Sequence, residues 1–247
     1  MTESRVILGV RGHMWKETVD AQGSASLVSV LICTLNEEPN LARILPRILS
    51  SVHEVILVDG HSTDGTVQVA KQLRPDIRII YQPGEGKGDA LRYGIQQATG
   101  DIVVTLDADG STDPADIPRF VEPLLRGYDF AKGSRFRRGL PRKKPKHRIL
   151  GNWIIVMTFN LLYRTFFTDL CSGYNAFWKS SIERVNLDSA DGLEDEPLIN
   201  CRAKKAGLRM VEVGHFDLGR IHGDTKAPSW RQGFRAVRTV VRERYAR

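Results

Sequence analysis

Strand-like and helix-like periods alternate along most of this chain, which predicts an α/β fold: a mostly parallel sheet with helices on both faces. Three observations support the prediction. Short apolar runs of strand length recur between amphipathic stretches from residue 27 to about 132. Polar, acidic or glycine-bearing segments follow four of these runs, as expected where parallel strands all end on one ligand-binding edge. The chain has 247 residues, 41% of them hydrophobic, enough to bury one large core.

Leu27 to Cys33 reads as a strand and Asn40 to Ser50 as a helix. Glu54 to Asp59 is a strand ending in Asp59-Gly60, and Asp64 to Leu73 a helix. Ile77 to Tyr81 (strand), Lys87 to Ala98 (helix) and Ile102 to Leu106 (strand) continue the alternation. Ile117 to Arg126 is a further helix, with a short strand around Asp129 to Lys132. From about Gly139 the alternation fails. A proline-and-lysine linker, Pro141 to His147, leads into an apolar helix at 149–167. A helix at Glu194 to Ala206, a strand at Arg209 to Val213 and a basic C-terminal helix follow. The expected organisation is a partly flexible extension over 1–26, a main domain over 27–228 and a basic amphipathic helix over 229–247.

Net charge is +7, with basic residues dense in Arg135 to Arg148 and Arg231 to Arg247, which points to an anionic partner. No helix-turn-helix or RNA-binding motif is apparent, so nucleic acid is not the expected one. Cys33, Cys171 and Cys201 are scattered, which disfavours a disulfide framework or zinc site and fits a reducing compartment. No secretory signal is visible. The apolar stretch at 149–167 is interrupted by Asn152, Asn160 and Arg164, short and polar for a membrane span. A cytoplasmic location is expected.

The most informative segment is Thr105-Leu106-Asp107-Ala108-Asp109-Gly110. Residues i and i+2 of a strand share a side, so Asp107 and Asp109 can aim at one point beyond the strand end. Such a pair suits a hard divalent cation that also holds a diphosphate, although Asp-Gly pairs also mark ordinary turns. Asp59 can accept hydrogen bonds from a nucleobase or ribose, or cap a helix; Asp64 reads as a cap. Gly84-Glu85-Gly86-Lys87-Gly88 precedes a helix, where backbone can approach an anion closely, but it lacks the Walker A pattern.

In order and spacing, Val30-Leu31-Ile32-Cys33-Thr34-Leu35-Asn36-Glu37-Glu38, Val58-Asp59-Gly60-His61-Ser62-Thr63-Asp64-Gly65-Thr66, Gly86-Lys87-Gly88 and Asp107-Ala108-Asp109 resemble the signature of family 2 inverting glycosyltransferases. Gly133-Ser134-Arg135-Phe136, the run Thr168 to Phe177, and Arg220-Ile221-His222-Gly223-Asp224-Thr225-Lys226 extend the resemblance, which covers roughly 27–230. Within that family the chain is most similar to polyprenol-phosphate (dolichol-phosphate) mannosyl- and glucosyltransferases. The resemblance implies a GT-A fold and a nucleotide-sugar donor, GDP-mannose or UDP-glucose. It implies that Thr34, Asn36, Glu37 and Asp59 hold the nucleoside, with Lys87 close by. Asp107 and Asp109 would bind Mg2+ or Mn2+ on the diphosphate, with Arg220 and Lys226 near the phosphates. Arg135 would sit near the phosphate of a polyprenyl phosphate acceptor. Gly60 departs from the pattern, since many relatives carry a second acidic residue there. The transmembrane helices of larger relatives have no counterpart.

Glu194-Asp195-Glu196 is open to two readings: a general base for a hydroxyl acceptor, or an acidic helix start favoured by the dipole. A phosphate acceptor is already anionic and needs little deprotonation. The helix at 149–167 and the C-terminal helix, with Trp230, Phe234, Val237, Val241 and Tyr245 amid arginines, suit peripheral docking on an anionic membrane; alternatively they cover the sheet or form a dimer contact. The expected function is hexose transfer from a nucleotide-sugar to polyprenyl phosphate. The alternatives are transfer to a hydroxyl acceptor, or nucleotide-sugar binding without catalysis.

Overall fold

The computed structural model describes residues 26–139, 146–185, 187, 195–223 and 229–246. The expected extension, apart from Ser26, and most of the proline-and-lysine linker lie outside them. Strands β1 (Val28–Thr34), β2 (Glu54–Asp59), β3 (Arg78–Tyr81) and β4 (Ile102–Asp107) are mutually parallel, in the spatial order β3-β2-β1-β4. β5 (Phe130–Ser134) is separated from β4 by β6 (Asn175–Trp178), which runs antiparallel to both. β7 (Met210–Gly214) closes the other edge, parallel to β5.

The helices are α1 (Glu38–Ile44), α2 (Thr66–Leu73), α3 (Gly86–Gln97), α4 (Ile117–Leu125), α5 (Lys146–Tyr163), α6 (Lys179–Ile182), α7 (Asp195–Lys205) and α8 (Ser229–Tyr245). Successive strand residues point to opposite faces, so each central strand feeds two cores. Val30, Ile32 and Val104 pack with Leu41 of α1, Ala70 of α2 and Phe120 of α4 on one face. Leu31, Ile56 and Val103 pack with Leu91 of α3 and Ile199 of α7 on the other. Burying each such side chain fully contributes about 1.5–3 kcal/mol. Gly94 lets α3 press onto the sheet: a Cβ there would lie 2.3 Å from the Leu31 Cδ1. A third, smaller core joins α5, α7 and α8 through Phe159, Tyr163, Cys201, Ala236 and Val240.

The parallel half matches the expected order, with boundaries shifted by a residue or two. The helix expected over 40–50 is instead α1 followed by a 3-10 turn, Leu45–Arg47, where Pro46 has no N–H to continue an α-helix. The apolar helix expected at 149–167 runs from Lys146 to Tyr163. It ends at Arg164, in the left-handed region at φ 53°. Asn160 secures that end: its amide donates to the Phe167 carbonyl at 2.8 Å, and its oxygen accepts from the Phe167 N–H at 2.9 Å. β6 was not expected, and it makes the sheet mixed. Among the described residues no helix is long and apolar enough to cross a membrane.

Candidate active site

The strand order reverses between β1 and β4, where the carboxyl ends of parallel strands open a crevice. Thr34, Asp59 and Asp107 end their strands on this edge, with Thr34 paired to Asp59 and Cys33 to Asp107 in register. Asp59 is fully buried. Its carboxylate accepts the Thr34 hydroxyl at 3.0 Å, the Ser62 N–H at 2.7 Å and the Ser62 hydroxyl at 2.6 Å. It therefore caps the turn after β2 rather than a helix. Asp64 lies one residue before the cap position, which Gly65 occupies, and accepts the N–H of Thr66, the first helical residue, at 3.0 Å.

Asn36 adopts a left-handed backbone (φ 53°), a conformation that costs a non-glycine residue free energy and persists where neighbours impose it. The Asn36 N–H donates to Ser62 Oγ at 2.9 Å, and its side-chain oxygen accepts the Thr63 N–H at 2.8 Å. The loops after β1 and β2 are thus knitted into one wall. Glu37 is buried and accepts from Asn40 at 2.5 Å and from Arg220 at 2.5 Å, which ties the 215–223 segment to this wall. His222 completes the tie, its N–H donating to Asn40 Oδ1 at 3.0 Å.

Asp107 and Asp109 face cations of opposite origin. The Lys87 ammonium, at the start of α3, donates to Asp107 at 2.7 Å and to Glu196 of α7 at 2.5 Å. Burial works to lower the Lys87 pKa, and the Asp107 and Glu196 charges more than offset it, holding the group well above its ordinary value. Arg220 lies 3.7 Å from Asp109. Gly110 (φ 77°) turns the chain beneath Ile221, whose N–H donates to the Asp109 carbonyl at 3.1 Å. Gly173 packs directly on Asp107: a Cβ at that position would lie 2.3 Å from its carboxylate oxygen.

The pair suits a divalent cation. Mg2+ commonly takes one or two protein carboxylates and completes its shell with phosphate oxygens and water. Asp107 and Asp109 are each about a quarter exposed, so both carboxylates can be reached from solvent. Among the described residues no group of three or more His, Cys, Asp or Glu side chains is arranged to hold a metal.

The other end of the edge is built differently. Arg135 forms a two-pronged pair with buried Asp169, at 2.6 Å from Nε and 2.8 Å from Nη2. Burial alone would raise the Asp169 pKa; Arg135 and Lys132 reverse this and hold its carboxyl well below the usual range. Lys132 is fully buried, donating to the carbonyls of Gly133 (3.1 Å) and Ser172 (2.8 Å), and burial lowers its pKa. His215 bonds Ser172 Oγ at 2.9 Å, and burial lowers its pKa as well. Together Lys132, Asp169 and His215 brace the 168–174 loop that carries Gly173 to Asp107.

Thr34, Asn36, Glu37, Asp59, Lys87, Asp107, Asp109, Glu196 and Arg220 thus all lie along one edge, with Arg135 at its far end. Glu194, the Asp195 side chain and Lys226 lie outside the described residues. Lys132, Asp169 and Gly173 have roles that no local pattern announced, although Asp169 and Gly173 stand in the quoted Thr168–Phe177 run.

Comparison with known proteins places the fold and the family. Residues 29–185 match the model of Glycosyl transferase family 2. The chain is 31% identical over 189 residues to glycosyltransferase AglJ of Haloferax volcanii, covering 74% of this chain and 61% of that protein. Over 114 residues it is 37% identical to undecaprenyl-phosphate 4-deoxy-4-formamido-L-arabinose transferase of Aeromonas hydrophila, covering 42% of this chain and 35% of that one. The chain thus spans about three-fifths and one-third of these relatives. In fold it is similar to glucosyl-3-phosphoglycerate synthase of Mycobacterium tuberculosis, crystallised with Mn2+, UDP and glucosyl-3-phosphoglycerate (TM-score 0.70, 21% identity, 95% of this chain and 86% of that one). The same enzyme has been crystallised with Mg2+ and UDP. The strand order and the family match agree: the chain has a GT-A fold and belongs to glycosyl transferase family 2.

Proposed function

We propose that the protein transfers a hexose from a nucleotide-sugar, GDP-mannose or UDP-glucose, to a polyprenyl phosphate, with inversion at the anomeric carbon. One observation carries the choice of acceptor: an exposed apolar stripe runs along α5 and continues directly into the loop that holds the Arg135–Asp169 pair. Leu150, Trp153, Ile154, Met157, Leu161 and Phe166 are each between 45% and 94% exposed, and the first five share one helix face. Arg148 and Arg164 flank the stripe, and Arg235, Arg238 and Arg242 are exposed on α8, which packs beside it. Apolar side chains beside arginines fit the interface of an anionic membrane, where a lipid phosphate would be delivered to the site. On this reading the protein works peripherally on a cytoplasmic membrane face.

On the donor side, Thr34, Asn36, Glu37 and Asp59 form the wall for the nucleoside, and Lys87 and Arg220 meet the diphosphate, with Lys226 assigned beside them. Asp107 and Asp109 would hold Mg2+ or Mn2+, which supplies Lewis-acid neutralisation of the charge that develops on the departing diphosphate. The acceptor phosphate oxygen forms the new bond to the anomeric carbon as the bond to the diphosphate oxygen breaks, and that oxygen keeps the electron pair. No proton need leave the acceptor. Arg135, fixed by Asp169, orients the acceptor phosphate, and its planar fork suits that task.

A second reading rests on Glu196. Its carboxylate accepts from Lys87 at 2.5 Å, and Lys87 also donates to Asp107, so on this reading Glu196 would serve as general base for a hydroxyl acceptor. Glu194 and Asp195 belong to the same acidic run. The deciding experiment follows label from GDP-mannose and UDP-glucose, with Mn2+, into short polyprenyl phosphates. Label in the lipid phase, retained in Glu196→Gln, supports the phosphate acceptor. Donor hydrolysis without lipid product, and a steep loss in Glu196→Gln with a shifted pH profile, would move the assignment to a hydroxyl acceptor.

A further inference from the structure

Strand β4 carries one polar side chain before Asp107. Every residue of Ile102-Val103-Val104-Thr105-Leu106 is buried, and Thr105 is only 5% exposed. A valine there would serve the core as well, and a buried hydroxyl costs free energy unless it finds partners. Thr105 uses both capacities of its hydroxyl. Oγ1 donates to the Gly173 carbonyl at 2.7 Å and accepts the Asn175 N–H at 3.2 Å. Asn175 is the register partner of Thr105, the last pair that joins β4 to β6. The hydroxyl thus extends the strand pairing beyond the start of β6, into the loop that leads to it.

That loop lies on Asp107. The α-carbon of Gly173 faces the whole carboxyl group: a Cβ there would lie 2.3 Å and 2.6 Å from its two oxygens and 2.7 Å from its carbon. The neighbouring peptides are held from the other side. The Ser172 carbonyl accepts from Lys132, its hydroxyl bonds His215, and the Tyr174 carbonyl accepts the Gly133 N–H at 2.8 Å. The Gly173 carbonyl turns instead to β4, to a residue two before Asp107 on the same side of the strand. One strand therefore presents the carboxylate and, through Thr105, fixes the surface on which that carboxylate rests.

Resting on the nucleotide-sugar and metal reading above, we propose that Thr105 is a positioning residue for the cation: its hydroxyl, through the Gly173 peptide, holds the Asp107 carboxylate in the orientation that the metal requires. With valine in its place, the Gly173 carbonyl and the Asn175 N–H, both buried, lose this partner, and the peptide can shift against Asp107. Groups that orient a metal ligand from behind commonly matter about 10–100-fold in metal affinity.

The test is calorimetric titration of the full chain with Mn2+ at saturating UDP or GDP, beside thermal melting, for the wild type, Thr105→Val, Thr105→Ser and Val121→Ala. Thr105→Val is expected to raise the apparent Kd for Mn2+ about tenfold. Thr105→Ser keeps the hydroxyl and is expected to stay within about threefold of the wild type. Val121→Ala thins the core under α4, on the opposite face of the sheet, and is expected to lower the melting temperature without moving that Kd. Thr105→Cys, a weak donor of similar size, decides the matter should Thr105→Val fail to fold, with an expected rise of more than about threefold. An unchanged Kd in the folded valine or cysteine variant, a rise that Thr105→Ser shares in full, or an equal rise in Val121→Ala overturns the role of Thr105 and leaves the metal site standing. Wild-type nucleotide binding that does not depend on Mn2+ overturns the metal reading and this role with it.

Discussion

The two halves of the sheet handle charge in opposite ways. On the parallel side, from β3 to β4, Asp107 and Asp109 are partly exposed and are matched by Lys87 and Arg220, long side chains reaching in from α3 and the 215–223 segment. On the mixed side, from β6 to β7, Asp169 is fully buried in a two-pronged pair with Arg135, and Lys132 is sealed against carbonyls. The first arrangement leaves both carboxylates open to solvent, as the proposed binding of a metal–diphosphate requires. The second cannot give up a partner cheaply, since each buried ion would be left uncompensated. One edge of one sheet thus carries a partly exposed set of charges, assigned above to the donor, beside a buried set that fixes the geometry around it.

The sharpest way to break this contrast is to remove Asp169. Asp169→Asn leaves Arg135 and Lys132 buried without their carboxylate and is expected to cost about 3–5 kcal/mol in denaturant unfolding. The pH dependence has a definite sign. The folded-state pKa of Asp169 lies well below the unfolded value of about 3.9, so the unfolded chain takes up the proton first. The stabilisation is complete above about pH 4 and is lost as the pH falls further, so wild type and variant should draw together in acid. A gap that stays constant with pH would show that the charge of Asp169 is not what stabilises this half.

Gly173→Ala probes the seam between the halves. Its Cβ would collide with the Asp107 carboxylate, and a displacement on the order of 1 Å in such a group costs transfer about 100-fold. Unfolding stability should fall far less than in Asp169→Asn. Lys87→Met tests the donor side: transfer should drop about tenfold with the fold intact, since a partly exposed ion pair contributes little to stability. The smallest effect belongs to the outer face. Leu161→Glu, at an 80% exposed position, should weaken sedimentation with anionic vesicles about tenfold and leave donor hydrolysis in solution unchanged. Equal vesicle binding would remove α5 from the membrane account.

The contrast also separates what the sequence could tell from what it could not. β1, β2 and β4 are continuous apolar runs closed by polar residues, so both their existence and the functional edge were legible. β6 is four residues long, Asn175 to Trp178, follows an irregular segment, runs straight into α6 and pairs antiparallel with strands distant in sequence. It carries no period that a local reading can register. The same holds for the site. Asp107 and Asp109 announce themselves by spacing, and Lys87 by its glycine-rich setting. The tie between Glu37 and Arg220 spans 183 residues, and the approach of Gly173 to Asp107 depends on where β6 enters the sheet. Lys132 reads as an ordinary strand lysine, and only the tertiary fold buries it.

The central claim is that the aspartate pair at the strand-order reversal holds the donor through a divalent cation. Its most direct test is calorimetric titration of the full chain with UDP and with GDP, each with and without Mn2+, for the wild type and Asp109→Asn. The account predicts binding of at least one nucleotide that requires the metal and falls at least about tenfold in the variant, with an unchanged melting temperature. Nucleotide binding that is indifferent both to Mn2+ and to Asp109 would contradict it.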